Sequence, residues 1–434
     1  MAEKCLDQTP TGVDLYELKG RLLKSAGDVH AAAECLDKGR ELDKQDRYIC
    51  NQTTKYFLQA NKEDIAFERM SLFTKHENDP GQNISDMQVT WYELEIAACL
   101  ARKGMLGKSL KWYMAIEKHF EDFHEDQFDF HSYSIRKVTL RSYVDVLRWE
   151  DSLWGHEIYS RAAEGIIRNY LHLYSNPLEA DSQDEPDYAS MTPAARKKAK
   201  AIARKKKKKA EKKIEEESRN KSEGAKSKVT KKDNDPDGLE LLKKDPLEEA
   251  KRYASTLVRN APNRIETWLC QYDICILRGK ATMALQALCK AKALDQWCED
   301  GAVFRRIVDF SKNVECTSNN ASVKEIFARE KSSLLGNKTL CAFVEEWRDK
   351  VMSNPLCNLE FRTEVAKAML SCNIGCVKDV CKIITQNGLE VRGITIIACK
   401  GVLTFLNDLG DDVKEDLDKF RGLVMTRYPL SSTW

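Results

Sequence analysis

The chain has 434 residues with 70 Lys and Arg against 68 Asp and Glu, a formal net charge of +2, and its length excludes a single small core. Ten prolines, few alternating β-branched runs and abundant Ala, Leu, Lys and Glu favour an all-α protein over a sheet-built one. No signal peptide opens the chain, no apolar run approaches the ~20 residues that a membrane span needs, and its 15 cysteines lack C-x-x-C or zinc-ligand spacing. Free thiols packed as small apolar side chains in a reducing compartment are expected, in a cytosolic or nuclear protein.

Val13 to Lys44 reads as two amphipathic helices folded back on each other. Tyr16, Gly20 and Leu23 share one helical face, Ala26-Gly27-Asp28 makes the turn, and Ala32, Leu36 and Gly39 give the second helix an inner face small enough for close packing. A 34-residue frame from Val13 closes at Asp46 and is similar to the tetratricopeptide pattern, a hairpin that must stack on neighbours to bury its face. From Arg47 to Pro80 the same frame places Phe57, Asn61 at the turn, Ala66 and Met70. A third copy starts near Trp91, with Ile96, Ala97, Gly104 at its turn, Tyr113 and Ile116, and Ile265 to Asp295 gives a fourth through Trp268, Gly279, Ala284, Leu288 and Ala291. Four copies in one frame predict an all-α, tetratricopeptide-type helical-hairpin solenoid over residues 1–175.

After the third copy, residues 119–133 gather three histidines among carboxylates and aromatics. His119, His124 and His131 do not fall on one helical face, so a metal site is not expected, and Phe128 and Phe130 look like anchors of a loop between helices. Helices follow at 134–149 and 156–174, the second with a stripe of Ile166, Ile167, Tyr170 and Leu173.

Residues 176–238 change character: an acidic loop, a lysine-rich helix and a flexible tether. Thr192 is a good N-cap and Pro193 suits the first helical position, but Ile202 and Ile214 are the only large apolar residues, so this basic helix is expected to project into solvent. Residues 196–232 hold 18 Lys or Arg and 5 Glu, a local charge of +13 that leaves about −11 on the remainder. No aromatic lies between Tyr188 and Tyr253, so Arg196, Lys197, Lys198, Lys200, Arg204, Lys205, Lys206, Lys207, Lys208, Lys209, Lys212 and Lys213 can neutralise phosphates but cannot stack on bases. Salt-dependent, sequence-tolerant contact with structured RNA is the favoured reading, above a nuclear localisation signal or a merely solvated helix. From 239 to 434 helical repeats resume; beyond the fourth copy, helices near 299–311, 321–335, 338–352, 358–370, 376–387, 391–408 and 412–427 lose the frame.

Nucleophile elbows, phosphate-binding glycine loops and coenzyme A turns are not found, so the expected role is a binding subunit without catalytic residues. One form of that role is an adaptor that grips a chaperone tail or another helix in its groove, the basic helix serving nuclear import.

Several stretches point elsewhere: KGRLLKSAGDVHAAAECLDKGRELDKQDRYI with TKYFLQAN, IEKHFEDFHEDQFDFHSYSIRKVTLRSYVDVL, DPLEEAKRY and IETWLCQYDI. Through them nearly the whole chain resembles the auxiliary subunit of the N-terminal acetyltransferase A complex, over the C-terminal half of that family's length. The resemblance implies a non-catalytic scaffold that wraps a catalytic N-acetyltransferase subunit, holds it at the ribosome through rRNA phosphates for co-translational N-terminal acetylation, and sometimes binds a small regulatory subunit. It implies no membrane or DNA partner and a cytoplasmic, ribosome-associated protein with a possible nuclear pool. Acetyl-CoA would serve the partner, and the chain would have no cofactor of its own beyond an inositol hexaphosphate site. Lys24, Arg40, Arg47, Lys55 and Tyr56 fall in the matching segments as candidates for that polyanion.

Overall fold

A computed structural model describes residues 2–75, 79–177, 235–295, 300–316, 318, 320–354, 357–386, 388–410 and 413–431, without the side chains of 127–130. The lysine-rich helix and its tether lie outside the described residues. The chain forms two units, Met1–Tyr174 with Asp237–Trp434 and, separately, Ser175–Pro236. The first is an all-α, tetratricopeptide-like solenoid, as the repeat frame predicts.

A short α1 (Ala2–Gln8) precedes the first hairpin, α2 (Val13–Ser25) and α3 (Val29–Leu42); α4 (Arg47–Gln59) and α5 (Glu63–Ser71) form the next. After α6 (Pro80–Asp86) comes the third hairpin, α7 (Thr90–Arg102) and α8 (Leu106–Glu125). Residues at the turn position of the frame take the left-handed backbone that lets a helix stop within one residue: Gly27 at φ 105°, Asn61 at 58° and Gly104 at 78°. The small residues do what the sequence implies. A Cβ on Gly39 would lie 2.8 Å from Cβ of Tyr16, and one on Gly20 would collide with Leu36, so each glycine makes room for a large side chain of the facing helix and α2 and α3 pack closely. Asp28 caps α3 by accepting from the Ala31 amide at 2.8 Å.

The segment 119–151 departs from expectation. Instead of a loop, α8 runs to Glu125 and α9 (Gln127–Lys137) starts after Asp126, and the expected helix 134–149 is cut at Val138-Thr139 before α10 (Leu140–Asp151). The break is local chemistry: Val138 is extended at φ −113°, ψ 161°, and Thr139 accepts from the Ser142 amide through its hydroxyl, so the β-branched pair ends one helix and caps the next. A 3-10 turn (Leu153–Gly155) leads into α11 (Glu157–Ser175), whose predicted stripe is buried.

Beyond the charged segment, α12 (Leu239–Leu242) and α13 (Pro246–Asn260) resume the same stack. Asp245 caps α13 with Pro246 at its first position. Tyr253 Oη on α13 donates to Glu117 on α8, and Arg252 lies 3.3 Å from the same carboxylate. Burial pushes the Glu117 carboxyl above the usual range, the Tyr253 and Arg252 contacts only partly offsetting it. Arg264 meets Glu164 of α11 at 2.9 Å. One apolar core therefore spans both sides of the insertion, from Leu94 through Tyr170 to Ile274.

The fourth predicted copy is α14 (Ile265–Leu277) and α15 (Ala281–Leu294), with Gly279 at φ 67° in its turn. Then follow α16 (Gly301–Asn313), α17 (Ala321–Leu334), α18 (Leu340–Ser353), α19 (Leu359–Ser371), α20 (Val377–Thr385), α21 (Ile396–Asp408) and α22 (Lys414–Arg427). Aromatic layers replace the small-residue seam here: Phe304 lies 5.8 Å from Phe343 and 5.3 Å from Phe361 between ring centroids. Arg362 is fully buried and donates to the carbonyls of Asn354 at 2.7 Å and Ile383 at 3.0 Å. The helix expected from 391 begins at Ile396, because Gly393 sits at φ 69° and Thr395 caps the helix through the Ala398 amide at 3.0 Å. The Leu430 amide donates to the Ala26 carbonyl at 3.2 Å, against the turn of the first hairpin.

Candidate functional site

Where α2, α4 and α7 meet, several charged side chains face one another. Arg21 and Lys24 are one turn apart on α2, and Lys55 and Tyr56 are neighbours on α4. Lys24 Nζ lies 4.5 Å from the centroid of the Tyr56 ring. Partial burial, then the Lys55 ammonium, hold Lys24 below the usual lysine range. Lys55 Nζ is 3.7 Å from Glu95 of α7. Arg21 is 3.7 Å from Glu17, which also accepts from Tyr48 Oη at 3.0 Å. Three cations against two carboxylates leave surplus positive charge, and an anion set between Lys24 and Lys55 would relieve their repulsion. The arrangement suits non-covalent capture of a multiply charged anion.

Of the five residues singled out by sequence, the fold brings together Lys24, Lys55 and Tyr56. Arg47 instead lies over the Phe73 ring at 5.5 Å, about two turns along α4 from Lys55. Arg40 is turned inward and only 1% exposed. Its Nε sits 2.7 Å from Asp37 and a second nitrogen meets Glu41, while Arg69 of α5 holds both Asp37 oxygens at 3.0 Å. Arg40 is thus a buried cation paired within α3 rather than a ligand for solvent anions, because its helical phase places it on the face that packs; the link from α3 to α5 is the Asp37–Arg69 pair. Sequence reasoning overlooks Arg21, although its three-residue offset from Lys24 on an amphipathic helix was the available signal. The twelve basic residues between Arg196 and Lys213 lie outside the described residues.

The hairpin of α9 and α10 forms a second surface. The three histidines of this region each have their own surroundings: His119 Nε2 meets Glu93 at 2.9 Å, His131 meets Glu150 at 3.2 Å and Tyr143 at 3.3 Å, and His124 lies near the Trp154 ring. The expected anchors Phe128 and Phe130 fall among the side chains outside the description. Trp149 packs edge-on to Phe123 at 4.5 Å, bracing the hairpin against α8. Tyr133, Ile135, Val138 and Leu140 of this hairpin are exposed.

Residues 1–291 match the family described as N-terminal acetyltransferase A, auxiliary subunit. Among curated relatives, the N-terminal acetyltransferase A complex auxiliary subunit NAA15 of Arabidopsis thaliana is 40% identical over 291 residues, covering 66% of this chain and 32% of that protein. N-alpha-acetyltransferase 16, NatA auxiliary subunit, of Mus musculus is 33% identical over 359 residues, covering 78% of this chain and 40% of its own length. The chain therefore spans less than half the length of these relatives. A solved structure described as Naa15/Naa10 bound to HypK-THB is similar with a TM-score of 0.60 at 29% identity, covering 76% of this chain and 42% of that one. With the family match running over well more than half of its residues and across all four repeat hairpins, the chain belongs to the family of N-terminal acetyltransferase A auxiliary subunits.

Proposed function

We propose that the chain is a non-catalytic scaffold that binds the catalytic N-acetyltransferase subunit and links it to the ribosome for co-translational N-terminal acetylation. The observation that carries this reading is the family match over residues 1–291, laid on a stack of hairpins of the kind that presents long surfaces to other chains. The similar solved structure pairs Naa15 with Naa10 and HypK, which supports a catalytic and a small regulatory partner here. Acetyl-CoA is then the catalytic subunit's cosubstrate. The basic residues from Arg196 to Lys213 supply the ribosome contact through rRNA phosphates, and the protein works in the cytoplasm with a nuclear pool.

Lys24, Lys55 and Tyr56, joined by Arg21, form the inositol hexaphosphate site of this reading, since a compact polyanion offers several phosphates to a small cluster of cations. The deciding experiment is affinity purification of the tagged chain with the catalytic subunit, followed by an acetyl-CoA-dependent N-terminal acetylation assay. Activity in the eluate is expected; an eluate without the catalytic subunit would overturn the scaffold reading. Calorimetry with inositol hexaphosphate on the Lys55→Glu variant should show a loss of about ten-fold or more in affinity, and unchanged affinity would discard the polyanion site.

A further inference from the structure

Helices α18 and α19 form an antiparallel pair whose register is set by two contacts. Trp347 of α18 meets Phe361 of α19 at 5.5 Å between ring centroids, and Arg362 of α19 reaches the Val351 carbonyl near the end of α18. Ten residues back from Val351 stands Cys341, and ten residues on from Arg362 stands Cys372; each helix climbs about 15 Å over that stretch, so the two cysteines meet at the open end of the pair. Their thiols are in hydrogen-bond contact. Cys341 is exposed at the second position of α18, and Cys372 is half-buried at the C-cap of α19. The Lys312 ammonium of α16 donates to the Ser371 carbonyl at 2.7 Å, which sets a cation beside Cys372, and Ser371 Oγ lies 3.7 Å from Cys372 Sγ. Burial holds the Cys372 thiol above the usual range, while the Ser371 hydroxyl and the Lys312 ammonium pull against it. Cys376, the other exposed cysteine among the described residues, is engaged elsewhere: it caps α20, and its amide donates to Asp379 at 2.9 Å.

We propose that Cys341 and Cys372 are a redox modification site, a thiol pair that hydrogen peroxide converts to an intramolecular disulfide. The inference stands apart from the scaffold reading. Cys341, open to solvent, is oxidised first: its sulfur takes one peroxide oxygen as the O–O bond breaks, giving a sulfenic acid and one water. The Cys372 sulfur then attacks the Cys341 sulfur, the S–S bond forms as the S–O bond breaks, and the departing hydroxide takes the Cys372 proton as a second water. Two thiols lose two electrons, and one peroxide is reduced to two waters. The neighbouring Lys312 charge favours the Cys372 thiolate that the second step needs. The bond falls at the ends of both helices, where the chain adjusts most easily, and away from the buried Phe361 and Arg362. It ties the start of α18 to the end of α19, and a reducing dithiol reverses it. Transient, redox-responsive disulfides of this kind occur in otherwise reducing compartments.

The test treats the full chain with a small molar excess of hydrogen peroxide, blocks the remaining thiols by alkylation, and maps the peptides by mass spectrometry without reductant. A linked peptide pair containing Cys341 and Cys372 is expected, and dithiothreitol should abolish it. Cys341→Ser should lose the link while keeping the wild-type melting temperature, because the position is solvent-facing. Cys376→Ser should keep the link. In Cys372→Ser the Cys341 sulfenic acid has no resolving partner, so dimedone should label Cys341 in this variant and not in the wild type. The proposal is overturned if Cys341 of the wild type advances to sulfinic acid with no link formed, or if the link runs instead to Cys376 or to Cys341 of a second copy.

Discussion

Two hairpins of this chain invite comparison. The first, α2 and α3, and the later one, α9 and α10, are both pairs of helices with an apolar stripe and a polar back. In the first pair Ala32, Ala33 and Leu36 are completely buried, because Gly20 and Gly39 let the partner helix approach and α4 covers the far side. In the second, α10 buries no residue fully: Leu140 stands in solvent and Tyr143, Val144, Val146 and Leu147 are only half-buried. Amphipathicity creates a face in both cases; whether that face is core or contact surface depends on what the rest of the chain places over it.

Mutations can break this contrast. Leu36→Ala should have the largest effect, destabilising the chain by about 4 kcal/mol, since the site is fully buried and its neighbours are too tightly set to collapse; a chemical denaturation curve with the same slope and a lower midpoint checks it. Asp37→Ala should cost about 3 kcal/mol by leaving the inward Arg40 with only its partly exposed Glu41, and the further change Arg40→Met should recover much of that in the same measurement. In the open hairpin the scale drops. Thr139→Ala removes the cap of α10 and should cost about 1 kcal/mol, seen as faster amide exchange confined to residues 140–144. Leu140→Ala should stay within about 0.5 kcal/mol of wild type; a loss of several times that would mean the open face is packed in solution.

A pH experiment sharpens the contrast at the buried joint. Burial raises the Glu117 carboxyl above its ordinary value, so the folded chain takes up that proton before the unfolded one does. Its contribution to stability is complete below the unfolded value of 4.5 and is lost as pH rises through the raised folded value. Thermal melts between pH 5 and neutrality should therefore show a falling contribution in the wild type that Glu117→Gln abolishes.

Much of the repeat architecture was legible because it is written in local spacing. Gly27, Asn61, Gly104 and Gly279 occupy one position of the 34-residue frame, and all four adopt the left-handed turn. The candidate polyanion site was legible only in part. Lys24, Lys55 and Tyr56 converge because their helices are adjacent in the stack, whereas Arg40, equally basic in the sequence, turns inward, and Arg21 enters the cluster from the same face as Lys24. A cation's charge is visible in a sequence, but its azimuth around a packed helix relative to the neighbouring helices is not.

The sequence by itself determined the helical class, the hairpin unit, its turn glycines and the family, since each depends on residues within a few turns of one another. Only the tertiary structure decided that Glu117 and Tyr253 join the stack across the charged insertion and that Arg40 turns into the core while Lys24 and Lys55 stay at the surface. Those outcomes depend on which faces meet over distances of many residues, and burial and desolvation, unlike periodicity, are properties of the neighbours as much as of the residue itself.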